Sequence, residues 1–136
     1  MERQIVKSKL ALRMPSEEAT ADDLPLAQDL LDTLAAHAHE CVGLAANMVG
    51  IRKRVIAFDN AGTPMAMLNP SILEKTGAYE TDEGCLSLPG TRHTTRYQRI
   101  LVRWQDLSLA WQERWFEGWT AQIIQHEVDH CNGILI

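Results

Sequence analysis

The chain has 136 residues, 46% of them hydrophobic and 23% charged, with a formal net charge of −5. That suits one domain of ordinary size, 1–136, with a core of its own; the acidic balance, without a basic stripe, excludes DNA as the expected partner. No apolar run approaches the roughly 20 residues of a membrane-spanning helix, and the start, MERQIVKSKL, lacks the apolar stretch of a secretion signal, so a cytoplasmic protein with no membrane partner is expected.

Residues 1–23 are polar and mixed, and Pro15 breaks any helix there. From Asp22 the pattern changes. Asp23 can cap, Pro25 is tolerated in a first turn, and Leu26, Leu30, Leu31, Leu34, Ala35 and Ala38 keep a helical spacing, which predicts an amphipathic helix to about His39. His37 and His39 then fall at the helix end, where charge pairing or exposure is expected of them. After CVGLAANMVG, the β-branched run RVIAFD, the turn NAGT and the run PMAMLN read as two strands of a hairpin. The stretch from Ser71 reads as irregular chain leading into a short strand near Cys85, closed by Pro89-Gly90. RILVRWQD is a strand and LAWQERWFEG another. The last helix starts near Gly118 or Trp119 and runs to about Asn132, with Gly133 stopping it. Strands in the middle and helices at both ends indicate an α+β fold, with small antiparallel sheets packed around the C-terminal helix. The four tryptophans, Trp104, Trp111, Trp115 and Trp119, are expected to pack in the core or an interface.

The terminal helix carries QHEVDH, residues 125–130. Ile123, His126, Glu127 and His130 fall at i, i+3, i+4 and i+7 and share one face. With Ile124 and Val128 beside it, that face is expected to point inward. A carboxylate buried among two imidazoles is expensive unless something pairs with them, and a divalent metal is the natural partner. Two histidines at i and i+4 can hold one ion while the glutamate between them stays free as a general base, the HExxH arrangement. Asp129 lies outside this face and reads as surface charge or as a partner to a ligand. A site with an open position usually takes three protein ligands. The three cysteines, Cys41, Cys85 and Cys131, form no CxxC pair or disulfide framework. Cys131 sits about 100° around the helix from His130 and should point away. Composition alone does not choose between Cys85 and Cys41.

Three segments taken together, CVGLAANMVG (41–50), EGCLS (83–87) and QHEVDHCNG (125–133), resemble in order and spacing the three motifs of peptide deformylases. The resemblance implies that Cys85, His126 and His130 are the ligands of one divalent metal ion, ferrous iron in most of the family, with zinc, nickel or cobalt able to replace it. It implies a hydrolase that removes the N-formyl group from the initiator methionine of new polypeptides, so that the partners are N-formylmethionyl nascent chains near the ribosome. Glu127 becomes the general acid and base. The Leu86 N–H becomes a donor to the oxyanion. Val42, Gly43 and Leu44 form the strand to which the peptide backbone adds, and Arg92 matches an arginine at the mouth of the peptide groove. The first motif departs from the family pattern AAxQ: Ala45, Ala46 and Asn47 are followed by Met48 where the family has a glutamine that donates to the oxyanion. Cys41 stands where a glycine is usual. A deformylase slowed by Met48 is therefore expected. The alternatives are a metal-binding homologue without turnover and an HExxH zinc protease.

Overall fold

The computed structural model describes residues 1–136. Three helices, α1 (Lys9–Leu12), α2 (Leu24–Ala36) and α3 (Gly118–Cys131), flank five strands: β1 (Gly43–Ala45), β2 (Val55–Asn60), β3 (Thr63–Cys85), β4 (Leu88–Gln105) and β5 (Trp111–Glu117). The strands form one antiparallel sheet in the order β1-β2-β3-β4-β5, so the small sheets expected from the sequence are joined in a single ladder.

The hairpin between β2 and β3 turns where NAGT stands. Asn60 pairs with Thr63, and both residues between them, Ala61 and Gly62, take positive φ (50° and 96°), as a tight two-residue turn requires. Val55, Ile56, Ala57 and Phe58 are all fully buried. Alternate strand residues point to opposite faces, so both faces of β2 are covered, and α2 and α3 each pack on this strand. The core continues through Leu26, Leu30 and Leu34 of α2, Ile100, Val102 and Trp104 of β4, and Ile123 and Ile124 of α3.

The central region departs from the sequence reading. The strand expected near Cys85 is there but runs back through Ser71 with no irregular chain before it, and β4 begins at Leu88, not Arg99. Residues 73–78 are exposed on both faces, so no apolar alternation marks this arm. Register shifts between Leu68 and Ser71 and between Ile72 and Glu74 further scramble the period of two. Cross-strand pairs such as Tyr79 with Arg96 and Thr81 with Thr94 define it instead.

At the ends, α2 stops at Ala36 rather than near His39, since Ala35 and Ala38 are exposed and give the last turn nothing to bury. Asp23 does not cap α2 with its side chain; it accepts from the Thr20 N–H in the preceding turn. His37 pairs with Glu40 at 2.8 Å and His39 is exposed. Of the tryptophans only Trp104 is buried, 5.7 Å from the Phe116 ring. Trp111 and Trp115 instead lie under the guanidinium groups of Arg103 and Arg99.

Candidate metal centre

The terminal helix α3 brings its inward face against β1, β2 and β4. Ile123, His126, Glu127 and His130 are all buried, as the i, i+3, i+4, i+7 spacing predicts. Gly133 follows at φ 75° and ends the helix; a Cβ there would lie 2.4 Å from the Arg13 carbonyl oxygen. Cys85, the last residue of β3, completes the group. Its Sγ lies 3.3 Å from His130 Nε2, which lies 3.2 Å from His126 Nε2, and the three atoms fall within 4.8 Å of one another. Cys131 is buried apart from this group, and the Cys41 thiol donates to the Gly43 carbonyl at 3.0 Å.

A buried polar chain stands behind His126. Glu83 Oε1 is 2.8 Å from His126 Nδ1, so the Nδ1 N–H donates to the carboxylate and the Nε2 edge of the ring is turned toward Cys85 and His130. Arg96 binds both oxygens of Glu83, through Nε at 2.9 Å and Nη2 at 2.8 Å, and reaches Asp129 at 2.7 Å through Nη1. Asp129 is therefore the far end of this chain rather than free surface charge. Gln122 adds a further bond to Glu83 Oε2 at 2.9 Å. Sequence reasoning assigned no role to Glu83, Arg96 or Gln122. One signal was available: Glu83 lies two residues before Cys85 on a strand, hence on the same face.

The electrostatics follow from this packing. Burial pushes the Glu83 carboxyl up, but the hydrogen bonds from His126 and Arg96 outweigh it and hold it at about 2. Burial raises Glu127 to about 7, with the nearby His126 pulling the other way. Burial disfavours charge on both imidazoles. For His126 the charge of Glu127 and the bond to Glu83 reverse this and raise it, whereas repulsion from His126 drives His130 further down.

The site opens into a cavity of about 760 Å³ lined by Val42, Gly43, Met48, Cys85, Leu86, His126 and Glu127, with Trp119 and Gln122 on its wall. Leu44, fully buried, lies behind it. Arg92 is not among the lining residues; its Nη1 donates to the Pro89 carbonyl at 3.1 Å. The Met48 side chain is buried, and its sulfur accepts from the Ala45 N–H at 3.4 Å. Asn47 turns away from the cavity and donates to the His130 carbonyl at 2.8 Å. Gly43 packs tightly against the helix: a Cβ there would lie 2.6 Å from Glu127 Oε2.

Residues 3–136 match the sequence profile of the family described as polypeptide deformylase. A peptide deformylase of Clostridium beijerinckii is 49% identical over 136 residues, 100% of both chains. One from Dictyoglomus turgidum is 42% identical over 112 residues, 82% of this chain and 72% of the relative. Among solved structures, the peptide deformylase of Thermotoga maritima superposes with a TM-score of 0.89 at 33% identity, covering 99% of this chain and 95% of the other. A class I type b peptide deformylase of Acinetobacter baumannii with Met-Ala-Ser bound gives 0.88 at 31% identity, over 99% and 97% of the two chains.

Proposed function

The chain belongs to the peptide deformylase family, and we propose that Cys85, His126 and His130 hold its metal ion while Glu127 moves the protons of the reaction. The activity is hydrolysis of the N-formyl group from nascent peptides, which sets aside the zinc-protease alternative. The observation that carries the residue assignment is the convergence of one thiol and two imidazole nitrogens within 4.8 Å, with Cys85 and His126 lining the cavity and His130 buried beside them. Three electron-pair donors so close, with His126 Nδ1 already engaged by Glu83, suit a cation and leave a further position open. Thiolate and imidazole donors fit ferrous iron, zinc, nickel or cobalt; ferrous iron is our choice from the family resemblance. Bound there, the ion supplies Lewis acidity toward water and the formyl carbonyl.

The chain's own groups do the rest. The Glu127 carboxylate, buried and raised to about 7, is poised to take a proton from water at neutral pH and to deliver it to the leaving amine nitrogen. Its Oε1 has no hydrogen-bond partner within the protein, which leaves it available for that transfer. The Leu86 N–H, next to Cys85, faces the charge that develops on the formyl oxygen. β1 pairs with β2 on one side only, so Val42 and Gly43 offer a free edge to which an extended peptide adds as a strand; Leu44 supports that edge from the core. Formylmethionyl nascent chains met near the ribosome in the cytoplasm are the substrates of this reading; no helix is long and apolar enough to cross a membrane.

Met48 supports a slowed version of the same enzyme. Its thioether lines the cavity and can accept weakly but cannot donate, so the oxyanion has one side-chain donor fewer. The test of the whole reading is Glu127→Gln, assayed for metal content and for release of formate from a formylmethionyl peptide. The variant is expected to keep its metal and lose most of its turnover. Parent turnover in Glu127→Gln would refute the general-base role.

A further inference from the structure

The carboxylate behind His126 is saturated. Its four hydrogen bonds come from His126 and Arg96 on Oε1 and from Arg96 and Gln122 on Oε2. Arg96 arrives from the Asp129 side. Gln122 comes from α3 and also lines the substrate cavity. Its amide is itself held, since Gln122 Oε1 accepts from the Tyr79 hydroxyl at 3.0 Å. The Glu83 carboxylate can only accept, so the NH₂ end of the amide faces it, and the oxygen left over is held by the Tyr79 hydroxyl.

The placement is regular. Gln122 and His126 are i and i+4 on α3, one turn apart on the same face; Tyr79 and Glu83 are four residues apart on the same face of β3. Tyr79–Gln122 and Glu83–His126 therefore form two parallel rungs between strand and helix, cross-braced by the Gln122–Glu83 bond. A carboxylate held by Arg96 from β4 and by Gln122 from α3 is restrained against rotation, and the imidazole that donates to it is restrained against tilting. The tilt of His126 decides where its Nε2 sits relative to Cys85 and His130.

We propose that Gln122, held in place by Tyr79, is a positioning residue of the metal centre: it restrains Glu83 and through it the His126 ring. The proposal rests on the reading of Cys85, His126 and His130 as ligands. Neither residue touches those ligands' donor atoms: Gln122 acts through Glu83, and Tyr79 through Gln122.

The experiment loads the full chain with cobalt(II) and follows its visible absorption and the rate of metal loss to excess chelator, without peptide. Removing a hydrogen-bonding partner behind a ligand typically weakens metal binding by about 10–100-fold. Gln122→Leu is expected at the low end, with about 10-fold faster metal loss and an altered cobalt spectrum. Tyr79→Phe, which removes a single hydroxyl, is expected to shift both readouts less and in the same direction. The double variant should lose metal no faster than Gln122→Leu alone, because Tyr79 acts only through Gln122. A purely structural role would lower the melting temperature and leave the cobalt spectrum as in the parent. Parent-like spectrum and metal loss in both single variants, or additive effects in the double, would overturn the proposal. Cys85→Ala separates the two levels. If it releases metal while Gln122→Leu and Tyr79→Phe behave as the parent, positioning alone fails. If it retains metal, the ligand assignment fails and this proposal with it.

Discussion

Gly43→Ala tests how closely β1 is fitted to the helix that carries Glu127. The added Cβ would stand 2.6 Å from Glu127 Oε2, 2.9 Å from Ile123 Cγ2 and 3.1 Å from Glu127 Cγ. To restore ordinary contact at 3.4 Å the carboxylate must give by 0.8 Å. It has little room to do so, because Glu127 and Ile123 are each only 4% exposed. Overpacking of this kind typically costs about 1–3 kcal/mol of stability. The larger effect falls on the chemistry: misplacing a reacting group by about 1 Å can cost roughly 10²-fold in rate. Gly43→Ala is therefore expected to lower kcat for a formylmethionyl peptide by about that factor at unchanged metal content. The denaturation midpoint should fall modestly. Because the substitution acts through the carboxylate, Gly43→Ala combined with Glu127→Gln should be no slower than Glu127→Gln alone. Parent kcat with a raised KM would refute this reasoning, since the methyl group would then be obstructing the peptide strand and not the base.

Cys85→Ala is expected to lose most bound metal, whereas Cys131→Ala keeps it, as measured by elemental analysis of protein purified without oxygen; equal occupancy in both would remove Cys85 from the ligand set. Met48→Gln should raise kcat at equal metal loading, with one regained oxyanion donor worth at most about 10²–10³-fold. Asn47→Ala should leave kcat little changed, because the Asn47 amide is committed to the His130 carbonyl; a faster parent than Met48→Gln together with a slow Asn47→Ala would make Asn47 the donor. Arg96→Met leaves Glu83 charged and buried without its main partner and should destabilise by about 3–5 kcal/mol, read as a lower urea midpoint; an unchanged midpoint would mean that the pair contributes nothing.

The inward face of the terminal helix was legible in the sequence, since four residues at i, i+3, i+4 and i+7 need only helical geometry to meet. The hairpin around NAGT was equally legible, because its turn chemistry and flanking β-branched runs are local. Cys85 was chosen over Cys41 only by the resemblance of EGCLS to a known motif; spacing alone left both open, and the fold separates them by ending β3 beside His130 while the Cys41 thiol turns to Gly43. Of the arm from Ser71 to Arg99 only the short strand near Cys85 could be read, because residues 73–78 are exposed on both faces and the register is interrupted. The polar chain from Asp129 through Arg96 and Glu83 to His126, with Gln122 and Tyr79 beside it, depends on that arm. Each link joins residues distant in sequence on different elements, and a polar side chain carries no periodic signal of where its partner will be. Which charges are buried together is decided by strand register and helix placement, and those exist only once the sheet has closed against the helix.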